Sequence, residues 1–110
     1  MKYAVTGSNG LVGKALTLKL AKDGHQVLAL YRSSLPVEFM SFANIEVAKG
    51  DVSDSAFLKR ALTGVDGVFH VAGFAKPWAK NPSIYYRVNE EGTRNVCEAC
   101  RENKVKRLVY

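Results

Sequence analysis

The sequence predicts a protein of the α/β class whose core is a doubly wound parallel sheet of five strands. Short apolar runs of strand length alternate along the chain with segments whose apolar residues recur at helical spacing. Each return to a parallel strand needs a crossover, so this alternation places helices on both faces of the sheet. The strands show little polar alternation, which favours burial of both their faces. The strand order expected for such a fold is 3-2-1-4-5.

Five short apolar runs are the strand candidates. They lie at residues 3–5, 27–30, 45–47, 68–71 and 108–110. The segment between the second and third runs has two interpretations. Either Pro36 opens a short helix that contains Phe39 and Phe42, or the segment is a loop.

Three segments have the apolar spacing of helices. The first follows the first strand and should end at Gly24, because glycine readily takes the left-handed conformation that ends a helix. The second is capped by Ser53 or Asp54 and should end at Gly64. The third and longest runs over about 82–103, with a proline that a first helical turn tolerates.

The length of 110 residues is enough for one domain with its own core and too short for two. The composition, 47% hydrophobic and 24% charged, is typical of a globular protein, so residues 1–110 are predicted to form one domain. No apolar run approaches membrane-spanning length, and the N-terminus lacks the apolar core of a signal peptide. The sequence therefore predicts a cytoplasmic protein without a membrane partner.

The formal charge of +6 points to an anionic partner. The basic residues are scattered along the chain, apart from a small cluster of Lys104, Lys106 and Arg107. No aromatic residues are interleaved with them, which disfavours a dedicated nucleic-acid surface. A cofactor rich in phosphate accounts for the same excess of positive charge.

The pair Cys97 and Cys100 has the spacing of a redox or metal motif. The two histidines lie far away in other elements, and the pair falls late in a helical pattern rather than at a helix N-terminus, where a thiolate would be stabilised. Cys100 also extends the apolar stripe that contains Val96. We therefore expect reduced cysteines packed on a helix and no metal site.

The stretch "TGSNGLVG" joins the first strand to the first helix. A turn of this kind must be tight at Gly7, must let a pyrophosphate approach the backbone at Gly10, and must let the helix pack on the strand at Gly13. Helix-terminal N–H groups then face the phosphates. The stretch predicts a Rossmann-like dinucleotide site, the alternative being a glycine-rich turn of purely steric origin. The predicted cofactor-binding residues here are Gly7, Ser8, Asn9, Gly10, Leu11 and Val12.

Four motifs in order, "TGSNGLVG", "GDVSD", "HVAG" and "VNEEGTRN", make the whole chain resemble the extended short-chain dehydrogenase/reductase family. Within it the chain looks most like the NAD(P)-dependent epimerase/dehydratase group, in its sugar-epimerase and dihydroflavonol-reductase-like branches. The resemblance assigns Asp51 and Val52 to the adenine. It places Ala72 and Gly73 along the ribose and phosphate path, and it gives Asn89 a part in ordering the active site.

Each of these positions also has a structural interpretation. Asp51 could serve only the turn after the third strand, and Asn89 could answer a local hydrogen-bond need. His70 lies inside an apolar strand, so we expect a packed or hydrogen-bonded imidazole rather than a catalytic base. Tyr85 and Tyr86 are expected to pack at the start of the long helix.

The end of the second strand favours NADP over NAD. An NAD site ordinarily places a carboxylate there to bind the ribose 2′-hydroxyl, whereas a 2′-phosphate calls for an arginine. No carboxylate occurs between Val27 and Val37, and Arg32 is followed by two serines. The alternative is an arginine that simply lies in solvent.

The residues that would carry the chemistry are not in this sequence. In the family that the chain resembles, a catalytic Ser or Thr follows the fifth strand and a Tyr-x-x-x-Lys comes later. No tyrosine here has lysine four residues on, so no catalytic residue is assigned. We expect the N-terminal part of a longer oxidoreductase or epimerase that acts on a hydroxyl or carbonyl substrate. The alternatives are a dinucleotide-binding module without catalysis and a basic nucleic-acid binder. Self-association through the edge of strand five is a further expectation.

Overall fold

The computed structural model describes residues 1–71 and 90–109 of the chain. Five strands lie in this part: β1 Lys2–Thr6, β2 Gln26–Tyr31, β3 Ile45–Lys49, β4 Gly67–His70 and β5 Arg107–Val109. All neighbouring pairs are parallel, and the sheet order is β3-β2-β1-β4-β5. The predicted fold class and strand order are confirmed.

The crossovers are made by helices. Their bounds are α1 Leu11–Lys22, α2 Ser55–Ala61 and α3 Gly92–Glu102, with a 3-10 helix at Val37–Ser41 between β2 and β3. The 3-10 helix follows Pro36 and buries Phe39, so the helical interpretation of this segment was right. The predicted long helix is confirmed over α3, and residues 82–89 of the prediction lie outside the described part of the chain.

The helix ends follow the sequence signals. Gly24 and Gly64, beyond the ends of α1 and α2, have φ values of 90° and 78°, a region that side chains rarely adopt. Of the two candidate caps of α2, the structure selects Asp54, whose carboxylate accepts the N–H of Phe57 at 3.1 Å. The acceptor satisfies one of the donors that a helix start leaves unpaired.

The hydrophobic core lies on both faces of the sheet. α1 covers one face, where Val5 and Val27 pack with Ala21. The larger cluster lies under α2 and α3 and includes Leu58 and Val96, both fully buried. The strands that carry most of this core are β1, β2 and β4, the three central ones.

The expectation that every strand is buried on both faces is wrong for β3 and β5. Val47 on β3 is 38% exposed and Val109 on β5 is 46% exposed. These two strands stand at the ends of the sheet order, where fewer neighbours cover them. An apolar run of three residues is too short for the sequence to distinguish an edge strand from a central one.

The cysteines are free and lie on α3. Cys100 is buried in the larger core cluster with Val96 and Ala99, and burial together with neighbouring Cys97 raises the pKa of its thiol to about 11. Cys97 is exposed. The expected helix packing is confirmed for Cys100, whereas Cys97 faces solvent. None of the helices in the described ranges combines the length and the hydropathy needed to span a bilayer.

Candidate functional site

A cavity of about 330 Å³ opens at the carboxyl ends of the strands, beside the start of α1. Thr6 and Tyr31, the last residues of β1 and β2, line it, as do Gly50 after β3 and Val71 after β4. This edge of an open parallel sheet is where such folds bind their ligands. Most of the residues predicted from sequence meet here: Gly7, Asn9, Gly10, Leu11, Val12, Arg32, Asp51 and Val52.

The glycines of the β1–α1 turn have different reasons to lack a side chain. Gly7 has φ 64°, in the left-handed region. A Cβ on Gly13 would overlap the carbonyl oxygen of Gly7, so helix and turn touch there. A Cβ on Gly10 would lie 3.4 Å from that oxygen, close to ordinary contact. Packing within the described residues therefore leaves room at Gly10, and its bare backbone fits close approach by a ligand.

The start of α1 has features that suit an anion. Gly10 precedes the helix without a side-chain cap, and the first turn carries no acidic residue. Its N–H groups are donors of the kind that a helix start leaves unpaired, and the helix dipole adds attraction for negative charge. Leu11 and Val12 line the cavity from this turn. The donor set and the bare Gly10 fit a pyrophosphate.

Ser8 occupies a different place from its predicted neighbours. It is fully buried, and both its N–H and its hydroxyl donate to the carbonyl oxygen of Leu30, each at 3.0 Å. It does not line the cavity. Ser8 therefore bonds the turn to β2 on the side away from the cavity. This arrangement favours a supporting role over the predicted contact with a cofactor.

A series of hydrogen bonds links the end of β1 to the end of β4 and to α3. Thr6 Oγ1 accepts the N–H of Val71 at 2.9 Å and lies 2.8 Å from Nδ1 of His70. The Nε2 atom of His70 lies 3.1 Å from Oγ1 of Thr93 on α3. Burial lowers the pKa of this imidazole, which favours the neutral ring. The expected packed and hydrogen-bonded His70 is confirmed, and this ring joins β1 and β4 to α3.

Part of the cavity wall is charged, because Arg32 and Asp51 line it. Nη1 of Arg32 lies 3.9 Å from Oδ2 of Asp51, and Nδ2 of Asn9 donates to Oγ of Ser33 at 3.2 Å. The Oδ1 atom of Asp51 accepts the N–H of Ser53 at 3.0 Å. Asp51 therefore serves the turn, as its structural interpretation expects, and lines the cavity at the same time.

The cavity wall also contains residues to which the sequence analysis gave no binding role. Tyr31 and Phe57 are the largest of them. A Cβ on Gly50 would overlap the Phe57 ring, so the ring packs over the bare backbone at the end of β3. The position of Tyr31 and Gly50 at the carboxyl ends of strands was a signal that could have found them.

Three predicted site residues, Ala72, Gly73 and Asn89, lie outside the described residues, as do Tyr85 and Tyr86. Their assigned roles stay predictions. In the described ranges, no group of three or more histidine, cysteine or acidic side chains is placed to hold a metal ion.

Comparison with known proteins identifies the family. Residues 3–110 match the NAD dependent epimerase/dehydratase family. The chain belongs to this family. The resemblance inferred from four motifs is confirmed.

Curated relatives in this family include reductases. The chain is 42% identical over 111 residues to a 2-alkyl-3-oxoalkanoate reductase of Stenotrophomonas maltophilia. This match covers all of this chain and 32% of that protein. It is 35% identical to a putative dihydroflavonol 4-reductase of Synechocystis sp., over 98% of this chain and 31% of the relative. The chain thus spans about a third of the length of these relatives.

A solved structure agrees with the fold. A uronate dehydrogenase variant of Agrobacterium tumefaciens in complex with NAD superposes with a TM-score of 0.82 at 25% identity, over 97% of this chain and 38% of that one. That protein binds NAD in a related fold. Whether a site of this family takes NAD or NADP depends on the residues at the end of β2.

Proposed function

We propose that the protein binds NADP(H) in preference to NAD(H) and forms the cofactor-binding part of an oxidoreductase or epimerase. The observation that carries this proposal is the composition of the cavity wall at the end of β2. Arg32 and Ser33 line the cavity there, and no carboxylate occurs between Val27 and Val37. A ribose with two free hydroxyls lacks its usual acceptor at this place, whereas a 2′-phosphate finds donors.

The contacts of these side chains suit a phosphate. Arg32 is 58% exposed, so its guanidinium can turn toward a ligand and offer paired N–H donors. Ser33 Oγ accepts a hydrogen bond from Asn9, which leaves the hydroxyl hydrogen to donate to an anion. The formal charge of +6 adds long-range attraction for a cofactor that carries an extra phosphate.

The reaction class proposed for the whole protein is hydride transfer at a hydroxyl or carbonyl carbon. The two relatives described above are named as reductases, and a nicotinamide supplies the hydride when bound. The residues described here have the task of binding and orienting the dinucleotide: the start of α1 takes the pyrophosphate, and the ends of β2 and β3 take the adenosine half. A ketone is the substrate class that these names favour.

Calorimetric titration with NADPH and NADH tests the cofactor preference. We expect tighter binding of NADPH, and we expect Arg32→Ala to weaken NADPH binding by about tenfold, since it removes charge-assisted hydrogen bonds at an exposed site. NADH binding should change little. Arg60→Ala is the matched control, because Arg60 is an exposed arginine on α2 that does not line the cavity.

Three outcomes would contradict the proposal. Equal affinity for the two cofactors, or an equal loss of both in Arg32→Ala, would contradict NADP preference. Absence of binding to either cofactor by a protein with the circular dichroism of a folded α/β chain would contradict dinucleotide binding itself.

A further inference from the structure

The guanidinium of Arg32 and the carboxylate of Asp51 face each other in the wall of the cavity, with Nη1 and Oδ2 3.9 Å apart. We propose that Asp51 is the resident counter-ion of Arg32 and thereby sets how strongly the site discriminates NADPH from NADH. This inference rests on the proposed function, because it assigns to Arg32 the recognition of a 2′-phosphate. It adds a specificity-determining role for Asp51 to the adenine contact that the family resemblance implies.

The side chains of this ion pair differ in how strongly the structure restrains them. Asp51 Oδ1 accepts the N–H of Ser53, which fixes the carboxylate in the turn after β3. Arg32 extends from the end of β2 with 58% of its side chain exposed, whereas 37% of the Asp51 side chain is exposed. The carboxylate is therefore the fixed partner. The guanidinium is the one that can move when a better anion arrives.

A 2′-phosphate is a better anion for Arg32 than Asp51 is. A phosphate monoester carries about −1.5 to −2 charges near neutral pH and offers several acceptor oxygens to a guanidinium fork. An exposed ion pair such as Arg32 with Asp51 contributes little. NADPH must draw Arg32 from Asp51, whereas NADH brings no phosphate and leaves the pair intact. The carboxylate therefore lowers the affinity for NADPH selectively and makes the site more tolerant of NADH.

The variant Asp51→Asn removes the charge and keeps an oxygen that can accept the N–H of Ser53. The quantity to measure is the ratio of NADH to NADPH dissociation constants. Both cofactors contain the same adenine, so any loss of an adenine contact cancels in this ratio. We expect Asp51→Asn to raise the ratio about two- to fivefold, the range that exposed ion pairs support.

The experiment is a double-mutant cycle. Calorimetry gives the ratio for the unmodified protein, for Asp51→Asn, for Arg32→Ala and for the double variant. We expect Asp51→Asn to raise the ratio when Arg32 is present and to leave it unchanged in the Arg32→Ala background. Asp54→Asn is the matched control: it removes a carboxylate three residues along the same loop and keeps a good N-cap for α2. It should leave the ratio unchanged.

The outcomes separate this inference from the proposed function. If Arg32→Ala lowers the ratio but Asp51→Asn leaves it unchanged, the counter-ion role is overturned and NADP preference stands. If Asp51→Asn raises the ratio equally in both backgrounds, the carboxylate repels the phosphate directly, and the role through Arg32 is overturned. If Arg32→Ala does not change the ratio, the proposed NADP preference fails and the inference fails with it. Thermal unfolding of each variant shows that the compared proteins are folded.

Discussion

A Cβ atom on Gly13 would overlap the backbone carbonyl oxygen of Gly7, because the first turn of α1 packs directly against the turn that leaves β1. The same carbonyl accepts the N–H of Gly10 at 3.0 Å. One peptide group thus sets both the shape of the turn and the closest approach of the helix. The contact holds the start of α1 beside the cavity, which Leu11 and Val12 of this helix line.

Replacing Gly13 by alanine should destabilise the protein. The methyl group meets backbone atoms that cannot move aside, so α1 must shift from β1, and we expect a loss of about 1–3 kcal/mol in the free energy of unfolding. Urea denaturation measures this loss. Gly10→Ala is the control, since its Cβ would lie 3.4 Å from the nearest atom and its φ of −80° suits alanine.

Gly10→Ala should instead weaken dinucleotide binding, because Gly10 lines the cavity and the proposed pyrophosphate would approach its bare backbone. We therefore expect Gly13→Ala to lower mainly the stability and Gly10→Ala to lower mainly the affinity for the dinucleotide. Equal destabilisation by both substitutions would contradict this division, as would unchanged cofactor affinity in Gly10→Ala.

Ser8 and Ser33 should give opposite results. Ser8→Ala removes a buried hydroxyl that donates to the Leu30 carbonyl, and that carbonyl keeps the N–H of Ser8 as a donor. We expect a loss of about 1 kcal/mol in the free energy of unfolding and little change in NADPH affinity. Ser33→Ala should leave stability unchanged and weaken NADPH binding. Calorimetry and urea denaturation of both variants test this, and weaker binding in Ser8→Ala at unchanged stability would show that Ser8 touches the cofactor.

The two cysteines should react at very different rates with a thiol reagent. Cys97 is exposed, whereas Cys100 is buried and its thiol pKa is raised to about 11, so little thiolate forms there at pH 8. Titration of the folded 110-residue chain with a chromogenic disulfide should label one thiol quickly and the second only after unfolding. Cys97→Ser should abolish the fast reaction, and Cys100→Ser should leave it. Two fast thiols in the folded chain would contradict the buried position of Cys100.

Much of this fold could be predicted because its signals are local. The glycine turn, the strand lengths and the helix-ending Gly24 and Gly64 each depend on a few consecutive residues, and the alternation of elements then determines the strand order. The sequence offered Ser53 and Asp54 equally as caps, since both residue types suit that position and only the backbone path selects one.

What the sequence did not predict depends on contacts between distant segments. Nothing local to Ser8 distinguishes a hydroxyl that faces a cofactor from one that bonds to Leu30, because β2 comes beside the turn only in the folded sheet. The pairing of Arg32 with Asp51 likewise follows from the parallel alignment of β2 with β3, which brings the ends of both strands to one edge. The direction of a side chain within the site is therefore determined by tertiary contacts and not by its neighbours in sequence.

The buried imidazole of His70 should make the stability of the protein depend on pH. Burial holds its pKa below the ordinary value of 6.5 in the folded protein, whereas the unfolded chain exposes the ring to water. Between these two pKa values the unfolded state binds a proton that the folded state does not. The contribution of the neutral ring to stability is therefore complete above about pH 6.5 and is lost as the pH falls toward the lower folded value.

Urea denaturation between pH 7.5 and pH 5.5 should show a falling free energy of unfolding, with a slope from this one group of at most about 1.4 kcal/mol per pH unit. In His70→Asn an amide faces Thr6 in place of the ring and does not titrate, so the slope should become shallower even though the variant starts from lower stability. His25→Asn removes the other histidine of the chain and measures how much of the slope arises from that residue. A slope unchanged in His70→Asn would show that the acid sensitivity arises from another group, because a packing defect alone lowers stability at every pH by a similar amount.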